Sequence, residues 1–403
     1  MPGTDSWIDA AAAADKLGVK PATLYSYVSR GLLHPRRQGN GRRSLFDAAE
    51  VESLRRRAHP DRDERQLAFL SAVTALGDDR PYYRGRDALG LAAAAHFEDV
   101  ATWLWTGVDP GSDDTPVWAS LQPGVGAATQ AQSALPDGVL PLDRLQLIVT
   151  TLAVTDPMRF NLDTAAVVAT GRALIAGMVD ALPALSRRRR NGDTIADRLW
   201  PKLTAAAPDP ALVRVLEAAL IVLADHELAA STVAARVAAS VKADPYAVVS
   251  AAIGVVGGAM HGGASLGAER MLAQVRTPTD APRVIGDRLR NGERIPGAGH
   301  AVYRHGDARG VLLLELLREA VPGHPVLAAA DAVLAELHAR GLPHPNVDFS
   351  LAAFTTVAKM QLGAGEAIFA IARTVGWLAH ALEEYERPSP LRPRAVYVGP
   401  APA

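Results

Sequence analysis

The residues best equipped for chemistry lie between Asp225 and Arg309. Three histidines occur there in unlike settings: His226 between two acids, His261 after a glycine run, and His300 after Pro296-Gly297-Ala298-Gly299. Arg304 and Arg309 follow closely. No metal-ligand spacing links the histidines, so no metal site is expected. The chain has no cysteine, which excludes disulfides, thiolate ligands and thiol nucleophiles. What remains is hydrogen bonding and proton handling by imidazoles, with arginines beside them to hold anions.

The elements that must carry these residues read as helical. Alanine and leucine dominate, aromatics make up only 5% of the chain, and β-branched alternation is almost absent, so the expected class is all-α. Long apolar helices are predicted over residues 142–155, 164–182, 211–241 and 248–260, a charged, more soluble one over 271–294, and further helices over 311–317, 327–340 and 364–385, the last with Arg373 in an apolar face. The 211–241 helix is apolar nearly all round and should be central. Asp225-His226-Glu227 sits within it. Successive helix residues step by about 100°, so these three cannot share one solvent stripe and at least one must point inward. A buried ionisable group is then paired or functional. Residues 343–349 read as irregular, ending in Asn346-Val347-Asp348. The uncharged run 247–268 is long enough for a membrane span, but its glycines, His261 and two serines mark it as buried protein. The four arginines at 187–190 read as a solvated loop.

A chain of 403 residues supports more than one compact unit. Net charge is −1, so nothing global points to a polyanion. Residues 1–58 nonetheless hold ten Lys and Arg against six Asp and Glu. A helix over 10–16, a turn at Leu17-Gly18-Val19, a helix starting at Pro21, a wing with Gly39-Asn40-Gly41 at its tip and a third helix after Asp47 follow in order. This unit resembles the winged helix-turn-helix of the MerR and excisionase type. The resemblance implies DNA contact by Tyr25, Tyr27 and Arg30 of the second helix and by Arg36, Arg37, Arg42 and Arg43 of the wing. The alternative is a small domain kept for dimer contacts. Residues 59–66 are a charged linker. Nothing at the N-terminus reads as a signal peptide, and a cytoplasmic location without membrane attachment is expected.

Four motifs occur in order downstream: Gly257-Gly258-Ala259-Met260-His261-Gly262-Gly263-Ala264, Pro296 to His300, Asp307-Ala308-Arg309, and Pro345-Asn346-Val347-Asp348. With Asp225-His226-Glu227 and Ala230-Ser231-Thr232 upstream, the set resembles the citrate synthase family from about residue 67 to the C-terminus. The resemblance implies a two-domain helical fold, with residues 67–270 and 359–403 as the large domain and 271–358 as the small one, in a homodimer. It implies condensation of acetyl-CoA with oxaloacetate and hydrolysis of the citryl-CoA formed, with acyl-CoA as co-substrate and no tightly bound cofactor. By the same resemblance Asp348 is the base, His261 serves the thioester oxygen and His300 the ketone oxygen. Arg309, Arg373 and His226 hold the oxaloacetate carboxylates, joined by Arg392 from the partner subunit. Pro296, Gly297, Ala298, Gly299 and Arg304 receive CoA. The chain departs from the family pattern at Ala229, Ser265, Ala308 and Phe349-Ser350-Leu351. Alternatives are a 2-methylcitrate synthase using propionyl-CoA, or a DNA-binding regulator that senses a metabolite. Asp307 is expected to be an arginine's structural partner, and His305, His324, His338, His344 and His380 to be surface or packing residues.

Overall fold

The structure is a computed structural model that describes residues 7–17, 19–38, 43–48, 50, 51, 54, 69–109, 117–186, 192–395 and 399. Two units are distinguished, Met1–Leu70 with Pro393–Ala403, and Ser71–Arg392. In the first, strand β1 (Trp7–Asp9) leads into helix α1 (Ala10–Leu17), where the Asp9 carboxylate accepts the Ala12 N–H at 2.8 Å. Pro21 starts α2 (Pro21–Ser29), and β2 (Arg36–Gln38) and β3 (Arg43–Asp47) form the wing. The sheet is antiparallel in the order β1-β3-β2, with Ile8 opposite Phe46. Leu17, Leu24, Leu33 and Phe46 build the core of this unit. The helix-turn-helix and wing agree with the sequence; β1 was not anticipated, being too short to show alternation. Gly18, the wing tip with Arg42, the linker 59–66 and the arginine run 187–190 fall outside the described residues, as does most of the third helix, of which Ala48, Glu50, Val51 and Leu54 are helical.

The second unit opens with a small antiparallel sheet that the sequence reading also missed: β4 (Thr74–Leu76), β5 (Pro81–Tyr83) and β6 (Arg86–Asp87). Arg84 and Gly85, both at positive φ, make the tight turn between β5 and β6. The helices follow as α3 (Ala88–Ala94), α4 (Phe97–Thr106), α5 (Gln122–Ala131), α6 (Pro141–Thr155), α7 (Thr164–Ala181), α8 (Ile195–Leu203), α9 (Pro210–Leu223), α10 (Ala230–Ser240) and α11 (Pro245–Val256). Then come α12 (Gly263–Leu272), α13 (Ala281–Arg290), α14 (Ala308–Ala320), α15 (Pro325–Ala339), α16 (Val347–Val357) and α17 (Ala364–Glu386). The α7 helix is long and apolar enough to cross a membrane, but 61% of it is buried within the protein, as suits a core helix. The run 247–268 is broken between α11 and α12.

Helix α17 is the centre of this unit. Every residue from Ala364 to Leu382 is buried, and α4, α6, α7, α9, α10, α11, α12 and α16 all pack against it. Among its few buried polar residues are Arg373, His380 and Glu384.

Three expectations are corrected. The 211–241 segment is two helices, α9 and α10, because the chain breaks at residues 224–229 with Glu227 at φ 53°. Asp225 and His226 are buried in that break and Glu227 is exposed, so the inward-pointing charge was right although its helical premise was not. The Tyr83 hydroxyl, 3.2 Å from the Asp225 carbonyl and 3.3 Å from the Asp225 nitrogen, satisfies the backbone that the break frees. The 271–294 segment is interrupted by a 3₁₀ turn, Pro278–Asp280, with prolines at 278 and 282 restarting it. Asn346-Val347-Asp348 does not end a loop. Asn346 caps α16, its Oδ1 accepting the Asp348 N–H at 3.0 Å.

Gly376 lets α17 touch the 224–229 break: its N–H donates to the Ala224 carbonyl at 3.0 Å. A Cβ there would lie 2.6 Å from that oxygen and closer still to the Asp225 carboxylate. Gly376→Ala gains ~1 kcal/mol of helix propensity. Overpacking a rigid site costs up to ~3 kcal/mol, so a net loss of about 2 kcal/mol is expected in urea unfolding. An unchanged midpoint would mean that the break shifts without resistance.

Candidate active site

Arg309 stands in the first turn of α14, only 2% exposed. Its Nε and Nη2 donate to the two Asp307 oxygens at 2.9 and 2.8 Å, a bidentate pair that fixes the guanidinium plane. Asp307 Oδ2 also accepts the Val347 N–H at 3.0 Å, so one carboxylate ties the arginine to the start of α16. Burial tends to raise this carboxyl, but Arg309 outweighs it and holds Asp307 below the usual range. The expected role as an arginine's partner is what the geometry shows.

Arg373 is 1% exposed; its Nε donates to the Leu223 carbonyl at 2.7 Å and its guanidinium lies 4.5 Å from the Phe369 ring centre. Burial lowers it to about 10, still charged at neutral pH. Among the described residues no acceptor engages either of its Nη atoms. His226 adds a further donor or acceptor: its Nε2 is buried without a protein partner. Burial first, then the charges of Arg309 and Arg373, hold His226 well below 6.5 and therefore neutral. Two buried cations and an unpartnered imidazole around one space call for an anion with several acceptors.

His300 completes this side. Its ring meets His226 edge-on at 5.1 Å between centres and stacks on Tyr303 at 4.7 Å. Its Nδ1 accepts the Val302 and Tyr303 N–H groups, both at 3.1 Å. That assigns the ring hydrogen to Nε2. Arg309 Nη2 lies 3.4 Å from Nε2, where two donors would face each other, and its bond to Asp307 is the one it makes. Burial and Arg309 bring His300 down to about 4, so it is a neutral donor.

On the other side, His261 Nε2 lies 2.8 Å from the Ser231 hydroxyl, which accepts the Trp377 indole N–H at 3.2 Å. Ser231 then gives its own hydrogen to Nε2, and the imidazole keeps its hydrogen on Nδ1. Phe369 packs edge-on against this ring at 5.4 Å and also carries Arg373 on its face. Burial, followed by Arg373, lowers His261 to about 4. Asp348, in the first turn of α16, is half-buried and raised to about 6 by burial, with Arg309 partly opposing. The charges of Arg309 and Arg373 both reach it, as they reach His226 and His300. The site therefore holds a carboxylate of elevated basicity, two neutral imidazole donors of fixed tautomer and a dicationic anion cradle.

Residues 64–394 match the family described as "Citrate synthase, C-terminal domain". The chain belongs to the citrate synthase family. Residues 11–44 match "MerR family regulatory protein". Citrate synthase 2 of Bacillus subtilis is 31% identical over 354 residues, covering 83% of this chain and 94% of that one. The 2-methylcitrate synthase of Mycobacterium tuberculosis (strain Erdman) is 30% identical over 336 residues, 79% of this chain and 84% of that one. Among solved structures, the citrate synthase from Pyrobaculum aerophilum superposes with a TM-score of 0.71 at 26% identity, over 84% of this chain and 92% of that one. The Thermoplasma acidophilum citrate synthase, solved as a ternary complex with carboxymethyl coenzyme A and oxaloacetate, gives 0.72 at 24% identity over 84% and 96%.

Seen as a citrate synthase-family site, some expected residues converge and others stand apart. The Arg373 charge reaches His226, His261, His300 and Asp348, and that of Arg309 reaches all of these but His261. Pro296 to Gly299 form a tight loop with Gly297 and Gly299 at positive φ. Asn346 sews it to α16: its N–H donates to the Gly297 carbonyl at 2.9 Å and its Nδ2 to the Gly299 carbonyl at 2.8 Å. Arg304 is exposed beyond that loop. Arg392 is also exposed and forms no hydrogen bond or ion pair with the other site residues. Ser231, Tyr303 and Asn346 were not singled out from sequence as working residues. Only Asn346 carried a usable signal, an Asx residue two before an acid, the pattern of a helix cap.

Proposed function

We propose that this protein is a citrate synthase, joining acetyl-CoA to oxaloacetate. The observation that carries this reading is the unpartnered His226 Nε2 within reach of the Arg309 and Arg373 charges, which also reach a half-buried Asp348. A dicarboxylate fills the first feature and a weak carbon acid needs the second. The Asp348 carboxylate takes a proton from the thioester methyl group while His261 Nδ1–H donates to the thioester oxygen, stabilising the enolate as it forms. The enolate carbon bonds to the ketone carbon of oxaloacetate, and the ketone oxygen, receiving the electron pair, takes the hydrogen of His300 Nε2. Water then breaks the C–S bond of citryl-CoA, releasing citrate and CoA. Closure of residues 271–358 over the larger domain would exclude water from the enolate. The bound oxaloacetate and coenzyme A analogue in the Thermoplasma acidophilum enzyme support this choice of substrates.

The acyl donor is the finer question, because relatives of both kinds match at about 30% identity. One methylene changes pocket binding by only ~1–3 kcal/mol, so propionyl-CoA is the runner-up substrate. The test is CoA release with oxaloacetate and either thioester. Acetyl-CoA is expected to give the higher kcat/KM; a preference for propionyl-CoA would make the protein a 2-methylcitrate synthase, and no release with either would sink both.

The enzyme is proposed to work in the cytoplasm as a homodimer, with the partner subunit's Arg392 on a substrate carboxylate. Arg392→Gln should then raise the oxaloacetate KM about tenfold, the contribution of one charge-assisted bond, without moving the melting temperature. An unchanged KM removes Arg392 from the site. For the N-terminal unit, DNA contact through α2 and the wing is proposed, with Tyr25 exposed on α2. Duplex binding that weakens steeply with salt is expected. No binding at low salt would leave the dimer-contact role.

A further inference from the structure

His380 looked like a packing residue, yet it is fully buried among charges. It belongs to a row on one face of α17: Arg373, Gly376, Trp377, His380 and Glu384, at the spacing that brings residues onto one helix face. Each of the five is bonded to the segment that carries His226. Arg373 Nε donates to the Leu223 carbonyl at 2.7 Å, Gly376 N–H to the Ala224 carbonyl at 3.0 Å, and Trp377 to Ser231 at 3.2 Å. Arg236 Nε donates to Glu384 at 2.7 Å. His380 Nε2 lies 3.4 Å from Asp225 Oδ2.

The donor pattern fixes the direction of this last contact. Arg236 Nη1 is 2.7 Å from His380 Nδ1, and a guanidinium only donates. Nδ1 is therefore the acceptor, Nε2 bears the hydrogen, and it donates to Asp225. Arg236 is itself held by Glu383 at 2.6 Å, and Glu383 accepts the Ala72 N–H at 2.7 Å. Asp225 Oδ2 in turn accepts the Glu227 N–H at 3.0 Å, closing the two-residue turn that has His226 at its middle and Glu227 at positive φ. Replacing buried ionic groups by apolar side chains is often neutral or stabilising, so stability alone does not account for the relay.

We propose that His380, oriented by Arg236, is a positioning residue that locks the Asp225 carboxylate and so aims His226 Nε2 at the substrate's carboxylate. The inference rests on the oxaloacetate reading above. Its role is in binding the dicarboxylate, and the acyl-CoA side, organised by His261 and Asp348, does not depend on it.

The test compares His380→Phe and His380→Gln with the parent, in turnover and in oxaloacetate calorimetry. Phe keeps ring volume but makes neither bond. Gln accepts through Oε1 and donates through Nε2. His380→Phe is expected to raise the oxaloacetate KM and Kd about tenfold, the equivalent of one lost charge-assisted bond, while the acyl-CoA KM stays within about twofold. Gln should restore most of the affinity. If Phe leaves oxaloacetate affinity unchanged, if Gln does no better than Phe, or if both KM values rise together, the proposal is overturned. Should His380→Phe not accumulate folded, His380→Asn replaces it, since Asn is too short to span both partners and must show the same deficit relative to Gln. A parent that binds oxaloacetate but releases no CoA would count against the synthase reading alone.

Discussion

Asp348→Asn is expected to lower kcat by roughly 10²–10⁴-fold, the range for a lost general base, with the oxaloacetate KM changed by no more than a few-fold. The amide keeps the side chain's shape and keeps the α16 cap, which uses the backbone N–H and Asn346. It cannot accept the methyl proton. The parent's pH profile gives the same assignment independently. Asp348 must be ionised to act, and burial raises it to about 6, so kcat should fall about tenfold per pH unit below 6 and level off above. His261 and His300 are held at about 4 and stay neutral across that limb. Stability should move the other way. A carboxyl whose folded value is raised weighs against the folded state increasingly from the ordinary 3.8 up to that value, fully above it and not below 3.8. Asp348→Asn should therefore melt higher than the parent at pH 7–8, with the difference gone near pH 3. Turnover that survives the substitution would show another base at work.

How much of this site was legible in the sequence depends on what the chemistry demanded locally. The order of His261, His300, Arg309 and Asp348 was readable because the short motifs that hold them follow one another in the order that resembles the citrate synthase family. Arg373 was readable as a charge in an apolar helix face. His380, on the same helix face, was passed over because its partners Asp225 and Arg236 are distant in sequence and only folding joins them. The break at 224–229 was hidden for a related reason. No glycine or proline marks it, and it is stabilised from outside by Tyr83 and Gly376. Tertiary packing overrode a continuous helical pattern there. The short strands β1 and β4 to β6 carry too few residues for period-two alternation to register. Asp348 was found as a residue but misplaced as an element, because Pro343 and Pro345 made a loop of what is also the approach to a helix cap.

Arg309 offers a way to separate holding the fold from holding the substrate. Arg309→Met removes the guanidinium and leaves Asp307, 2% exposed, with two backbone N–H groups, those of residue 309 and Val347, and no countercharge. Stranding a buried carboxylate typically costs ~3–5 kcal/mol, so the single variant should be strongly destabilised as well as inactive. Asp307→Asn on that background removes the stranded charge, while its single amide oxygen still accepts one of those two N–H groups. Urea unfolding is expected to show most of the lost stability restored in the double variant. Activity should not return, because the missing donor faces the substrate. Losing one partner of a buried charged contact costs ~2–5 kcal/mol, roughly 30-fold to several thousandfold in kcat/KM. Recovery of both stability and kcat/KM would mean that Arg309 only neutralises Asp307, and the anion cradle would reduce to Arg373 and His226. Recovery of stability alone makes Arg309 a substrate ligand whose partner Asp307 exists to hold its plane and to join it to α16, where Asp348 begins the chemistry.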